Sequence, residues 1–186
     1  MLTNIIKKNF DFNYKYIQNI EMGITITTKT IYNCSLERAF KTGFLGDVSK
    51  VHTGYYGIMP KVTHSTEDEN WGKPGYSKKV FGISKLFTKP ITDKVIERIE
   101  NKYWKIEVSN FNYLMLGFSK FVGEWRTTEL EKNKILIEYT YTLHSKIVLL
   151  YPLQWLFAKI FFRKYMKKVL ENIREMIRNN EPYLFD

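Results

Sequence analysis

The feature that most limits the fold is a series of short segments, between residues 24 and 144, in which apolar and polar residues alternate. Trp104, Ile106 and Val108, for example, share one face of such a segment, while polar residues share the other. A period of two is typical of strands with one buried face, and short connections between neighbouring segments favour antiparallel pairing. The pattern predicts strands over residues 24–33, 58–66, 76–83, 92–99, 102–109, 118–129 and 134–144.

Helical patterns lie after the first strand and at the end of the chain. Ser35 is a good N-cap for a short helix that we expect to end at Gly43. A second helical turn is predicted over residues 47–52. Towards the end of the chain, apolar side chains recur at spacings of three and four, which predicts a long helix with one buried stripe. That stripe comprises Leu153, Leu156, Phe157, Ile160, Phe161, Val169, Ile173, Met176 and Ile177.

The order of these elements indicates the architecture. A sheet with one apolar face and a helix with one apolar stripe bury both when the sheet curls around the helix. We therefore predict an α+β fold in which a curved antiparallel sheet of about six or seven strands wraps around a long C-terminal helix, with two short helices after the first strand. No repeat or linker divides the chain, so residues 23–180 are expected to form a single domain between an N-terminal extension (1–22) and a C-terminal tail (181–186).

Three strings of residues follow one another in an order that is known from other proteins. They are Ser35-Leu36-Glu37-Arg38-Ala39-Phe40 after the first strand, Ile58-Met59-Pro60 followed by Trp71-Gly72 and Gly75, and Tyr139-Thr140-Tyr141 before the final helix. In this order they resemble the START-like, or SRPBCC, superfamily with its helix-grip fold, over about residues 24–178. The first 22 residues and the basic final helix depart from the family pattern.

The resemblance implies a function as well as a fold. It implies binding, transport or sensing of a hydrophobic or amphipathic small molecule (lipid-, steroid- or polyketide-like) in an internal cavity. The alternative that it implies is an enzyme similar to the polyketide cyclases and dehydratases of the same superfamily.

Aromatic residues are the predicted lining of such a cavity. They make up 16% of the chain, and buried Tyr and Trp carry a polar atom that needs a partner. Several of them on one concave face favour a partly polar pocket, and plain core packing is the other interpretation. The predicted ligand-binding residues are Tyr56, Trp71, Trp104, Trp125, Tyr139, Tyr141, Trp155 and Phe157.

Signals for catalysis and for metal binding are weak. The chain has three His residues, none of them paired at a spacing of three or four, so no metal or other cofactor is predicted. Glu97 and His64 are the candidates for acid–base chemistry, because each can share the apolar face of its strand; a register shift of one would place Glu97 in water. Cys34, the single cysteine, is interpreted as a small buried residue.

The charge distribution suggests a third function. The net charge is +10, and Lys159, Arg163, Lys164, Lys167 and Lys168 have no acidic residue between them. They form either a solvated helix face or a surface that docks on an anionic membrane or a partner. Nucleic-acid binding is disfavoured, because most aromatic residues are expected to be buried. With no signal peptide and no apolar run of the ~20 residues that span a bilayer, the sequence predicts a soluble cytoplasmic protein.

Overall fold

The computed structural model of the chain describes residues 21–55, 59–66, 68–83, 89–111 and 116–185. Within this part, seven strands form a single antiparallel sheet. They are β1 (Met22–Asn33), β2 (Lys61–Ser65), β3 (Ser77–Ile83), β4 (Ile91–Ile99), β5 (Tyr103–Ser109), β6 (Phe118–Glu131) and β7 (Lys134–Ser145). The sheet order is β1-β7-β6-β5-β4-β3-β2, so the first and the last strand pair although they are far apart along the chain.

Two short helices, α1 (Leu36–Leu45) and α2 (Val48–Val51), follow β1. The Ser35 side chain caps α1 by accepting a hydrogen bond from the backbone N–H of Arg38 at 3.2 Å, as the sequence predicted. The prediction that Gly43 ends α1 is wrong. A Cβ at Gly43 would lie 3.1 Å from the Ile173 side chain, so the glycine permits a close helix–helix approach instead of marking a terminus.

The chain ends in a long helix in three consecutive parts, which together are called the C-terminal helix. They are α3 (Tyr151–Leu156), a π-helical segment (Phe157–Phe162) and α4 (Arg163–Arg178). Pro152 lies in its first turn, where a missing backbone N–H costs nothing. No helix in the described residues combines the length and the hydropathy that are needed to cross a bilayer.

The core lies between the concave face of the sheet and the C-terminal helix. Every second residue of β7 from Ile135 to Leu143 is buried, and so are Val169, Leu170, Ile173 and Met176 of α4. A further link joins the sheet edge to the helix, because the Tyr32 hydroxyl donates a hydrogen bond to the Leu170 carbonyl at 2.8 Å. The predicted curled sheet around a final helix is therefore confirmed.

The predicted apolar stripe is wrong in the first half of the C-terminal helix. Leu153, Leu156, Ile160 and Phe161 are exposed, and the side chains that face the sheet are those of Gln154, Phe157, Ala158 and Phe162. A π-helical turn holds more residues than an α-helical turn, so the segment Phe157–Phe162 shifts which positions face inward. The consequence is an apolar surface on the outer side of the helix.

Candidate ligand cavity

Two neighbouring cavities lie between the sheet and the C-terminal helix. Their volumes are about 20 Å³ and about 70 Å³, and they have Val48, His52, Asp93, Ile106 and Tyr141 in common as lining residues. The larger cavity is otherwise mostly apolar, and its further lining residues are Met59, Pro60, Val62, Val80, Ile91, Val108, Phe111, Phe121, Phe162 and Tyr165. The smaller cavity is bordered by Lys78, Trp125 and Tyr139, among others. The polar groups are therefore concentrated where the two cavities meet.

Strand geometry brings two charged residues to this place. Asp93 in β4 is the register partner of Lys78 in β3. Asp93 shares a face with Val95, and Lys78 shares a face with Val80, because alternate residues of a strand point the same way. Val80 and Val95 are both buried, so both charged side chains are directed to the inner side of the sheet.

Asp93 carries a carboxylate that has no hydrogen bond and no ion pair with another described residue. Desolvation by burial raises its pKa to about 6, and the positive charge of Lys78 acts in the opposite direction. A carboxylate in this position needs a donor from a ligand or from water.

Lys78 is held by aromatic rings. The residue is 4% exposed, and its Nζ lies 4.1 Å from the centroid of the Trp71 ring and 5.2 Å from that of Phe185. Aromatic faces attract a cation, which partly compensates for the lost hydration. Burial lowers the pKa of Lys78 to about 8, against the effects of the Asp93 and Asp47 carboxylates.

The remaining polar wall of the cavity consists of His52 and three tyrosines. His52 Nδ1 and the Tyr165 hydroxyl are joined by a hydrogen bond, and burial lowers the pKa of His52 to about 4, so its ring is neutral at pH 7. The rings of Tyr139 and Tyr141 are 5.2 Å apart, and burial raises the pKa of both hydroxyls. At neutral pH the wall therefore offers one anion, one cation and several neutral hydrogen-bonding groups.

Comparisons with known proteins support the architecture. No family model and no curated protein matches the sequence. Among solved structures, norcoclaurine synthase from Thalictrum flavum, in complex with dopamine and hydroxybenzaldehyde, is 14% identical, with a TM-score of 0.60 over 90% of this chain and 93% of that one. Ara h 8.0201 is 14% identical, with a TM-score of 0.58 over 86% and 100% of the two chains. A protein of unknown function from Staphylococcus aureus, SA2116, is 11% identical, with a TM-score of 0.64 over 86% and 96%.

This chain has the helix-grip fold. The similarity to these structures agrees with the curled sheet, the two short helices and the C-terminal helix described above. The fold expected from the three sequence strings is thereby confirmed.

The two neighbouring cavities together are called the helix-grip cavity, and each of them is one of its compartments. Four of the predicted binding residues line this cavity. Trp71, Trp125, Tyr139 and Tyr141 border the smaller compartment. The indole N–H of Trp125 is buried and has no hydrogen-bond partner among the described residues, whereas that of Trp71 donates to the Phe44 carbonyl at 2.8 Å. The indole N–H of Trp104 in the core is likewise buried without a partner among the described residues, so the unpartnered N–H does not by itself mark a ligand contact.

The other predicted binding residues lie elsewhere. Trp104 is fully buried and packs against Phe40 and Phe44, with ring centroids 5.4 Å and 5.1 Å away, so it belongs to the core. Phe157 is buried outside the lining of both compartments. Trp155 is on the outer side of the C-terminal helix, which corrects its predicted placement. Tyr56 lies outside the described residues.

Of the two orientations that the sequence left open for Glu97, the structure shows the one in water. The alternation of β4 is interrupted by a bulge between Val95 and Glu97, which turns Glu97 to the solvent. Arg98 takes the inner position instead, with its guanidinium 4.6 Å from the centroid of the Trp104 ring. A single bulge thus exchanges a carboxylate for a guanidinium on the inner face.

His64 is also at the surface. Its ring stacks on Phe81 with centroids 4.5 Å apart, and its Nδ1 is 3.0 Å from the Thr63 hydroxyl. Neither catalytic candidate therefore borders the cavity. The group that sequence reasoning missed is the Asp93–Lys78 pair, and the signal for it was a charged residue within the apolar face of each strand.

Proposed function

We propose that the protein binds a compact amphipathic small molecule in the helix-grip cavity. The observation that carries this proposal is the Asp93 carboxylate, which borders both compartments without a partner among the described residues. Beside it lies an apolar space walled by Phe121 and Phe162. A ligand with a donor group at one end and an apolar ring at the other satisfies both surroundings.

The cavity volume limits the size of this ligand. The larger compartment has about 70 Å³, whereas sites for drug-sized ligands have roughly 300–1,000 Å³. A molecule with one substituted ring is accommodated after small side-chain movements. A lipid or a steroid requires the sheet and the C-terminal helix to move apart. Dopamine and hydroxybenzaldehyde, with which norcoclaurine synthase forms its complex, are ligands of the smaller kind.

Isothermal titration calorimetry with dopamine and 4-hydroxybenzaldehyde tests the proposal. Dopamine carries an ammonium group and two hydroxyl donors, so we expect it to bind through Asp93. A charge-assisted hydrogen bond contributes about 1.5–3 kcal/mol, so Asp93→Asn should weaken dopamine binding by roughly 10- to 100-fold. The effect on 4-hydroxybenzaldehyde, which has a single hydroxyl donor, should be smaller.

Glu97→Gln is the matched control, because it removes an exposed carboxylate from the same strand. Equal losses in Asp93→Asn and Glu97→Gln would show that overall charge, not the cavity, determines binding. Failure of both probes to bind the wild-type protein would contradict the proposal for this ligand class.

A second candidate function is acid–base catalysis on a small carbonyl compound. One observation favours it: Asp93 and Lys78 are register partners in β4 and β3, with both side chains on the inner face of the sheet. Burial raises the pKa of Asp93 to about 6 and lowers that of Lys78 to about 8. Groups with such values exchange protons readily at pH 7. Asp93 would remove a proton from the carbon next to the carbonyl, and the Lys78 ammonium would stabilise the enolate oxygen.

Deuterium incorporation into phenylacetone in D₂O, followed by NMR, measures this activity. We expect the wild-type protein to accelerate the exchange, and Asp93→Asn and Lys78→Met to abolish the acceleration. Lys79→Met, which removes an exposed lysine next in the strand, is the control for Lys78. Exchange at the uncatalysed rate with the wild-type protein would leave binding without catalysis as the function.

A further inference from the structure

The outer side of the first half of the C-terminal helix is apolar, and so is the 3₁₀ turn Val148–Leu150 that leads into it. The side chains there are 36–89% exposed. Together they are called the outer apolar face, and they are Ile147, Val148, Leu149, Leu153, Trp155, Leu156, Ile160 and Phe161. Leu149, Leu153, Leu156 and Ile160 follow one another at spacings of three and four, and all four are exposed. A continuous apolar strip of this kind on a protein surface indicates an interaction site.

The orientation of this face is fixed from the inside. Gln154 is fully buried, and its side-chain amide donates hydrogen bonds to the Leu116 carbonyl at 2.7 Å and to the Ser145 hydroxyl at 2.8 Å. Phe157 and Phe162 fill the space toward the sheet. The helix cannot rotate to bury the outer apolar face without breaking these contacts.

Basic residues surround the outer apolar face. Residues 146–170 contain six bases and no acid. Arg163, Lys164, Lys167 and Lys168 are exposed on the two turns that follow the face, and none of the four forms an ion pair with another described residue. Lys159 lies within the strip and donates to the Thr25 carbonyl at 2.9 Å. These exposed cations have no negative counterpart among the described residues.

We propose that this surface docks on an anionic lipid membrane, with the helix lying in the plane of the interface. A bilayer offers an apolar interior under a negatively charged surface, which matches an apolar strip bordered by lysine and arginine. Trp155, at the edge of the strip, is suited to the level of the head groups, because its ring is amphipathic. Docking of a second copy in this way is disfavoured, since it would bring two sets of six like charges together.

Vesicle co-sedimentation of the full chain tests the proposal. The probes are vesicles of phosphatidylcholine alone and of phosphatidylcholine with 30% phosphatidylserine, at low and at moderate salt. We expect binding to the anionic vesicles only, weakened at least tenfold at the higher salt because ions screen the attraction. Leu153→Gln with Leu156→Gln, and separately Lys164→Gln with Lys167→Gln and Lys168→Gln, should each weaken binding at least tenfold.

Lys79→Gln with Lys94→Gln and Lys132→Gln is the matched control, because it removes the same charge from exposed sites on the sheet side. Trp155 gives a second readout: among the chain's four tryptophans the other three are buried, so brominated lipids should quench mainly Trp155. Loss of that quenching in Trp155→Phe, with binding retained, would locate the contact.

Three results would overturn the proposal. They are no binding to anionic vesicles at low salt, an equal loss of binding in the control triple variant, and a concentration-dependent dimer that the leucine variant abolishes. The last result would assign the outer apolar face to contacts between copies of this chain.

Discussion

Replacing Asp93 with Asn should make the stability of the protein depend on pH in a way that the wild-type protein does not show. The pKa of Asp93 is raised from 3.8 to about 6 in the folded protein. Between these values the folded state binds more protons than the unfolded state, so stability falls as the pH rises. The pKa of His52 is lowered from 6.5 to about 4, so stability rises with pH across nearly the same range.

The two effects are similar in size and opposite in sign. The shift of Asp93 corresponds to ~3 kcal/mol at 1.36 kcal/mol per pKa unit, and that of His52 to a similar amount. They therefore offset each other between about pH 4 and pH 6, where the two ranges overlap. In Asp93→Asn only the His52 effect remains, so the variant should gain up to ~3 kcal/mol of stability relative to the wild type over this range. Lys78, whose charge acts on both groups, titrates above this range at a pKa of about 8.

Urea unfolding at pH 4.0, 5.0 and 6.5 measures this difference. The free energy of unfolding of Asp93→Asn minus that of the wild type should increase with pH, and the same difference for His52→Gln should decrease. Glu97→Gln removes an exposed carboxylate from the same strand and shows how much of the change comes from any lost charge. A difference between Asp93→Asn and the wild type that stays constant with pH would refute the assignment of a desolvated carboxylate to Asp93.

Three further substitutions test other parts of the structure. Tyr32→Phe removes the buried hydroxyl that donates to Leu170, and urea unfolding should show a loss of about 1–2 kcal/mol. Ser35→Ala removes the N-cap of α1 and should cost about 1 kcal/mol by the same method, whereas the conservative Ser35→Thr should cost less. In Gly123→Ala the new Cβ would lie 2.8 Å from the Tyr141 ring. This substitution should destabilise the protein by roughly 1–3 kcal/mol through overpacking. Calorimetry should also show weaker dopamine binding, because the displaced ring belongs to the polar wall.

The strands were predictable because alternation is a local property, whereas the pairing of β1 with β7 joins segments that are far apart in sequence. In β7 the residues from Ile135 to Leu143 alternate without interruption, and the structure buries the predicted face. In β4 the same reasoning fails beyond Val95, because the bulge changes which residues face inward. Whether Glu97 or Arg98 points inward depends on pairing with β5, which the sequence of β4 alone does not encode.

The apolar face of the C-terminal helix shows a second limit. Residues 147–162 have apolar side chains on several sides, so a period of three to four fits more than one choice of the buried stripe. The choice depends on a polar residue: Gln154 is drawn inward by acceptors at Leu116 and Ser145, which are distant in sequence. A pattern search that assigns polar residues to the solvent cannot find this arrangement.

The two proposals use opposite sides of the C-terminal helix: the inner side lines the ligand cavity, and the outer side forms the outer apolar face. The π-helical segment determines which residues lie on each side. Phe162 and Tyr165 face the cavity, while Ile160 and Phe161 face outward in the same two turns. Because the helix is fixed by Gln154, an outward substitution such as Leu156→Gln leaves the cavity lining unchanged, and Asp93→Asn leaves the outer apolar face unchanged. Each substitution therefore tests one proposal only: Asp93→Asn tests ligand binding, and Leu156→Gln tests membrane docking. Either proposal can be refuted while the other holds.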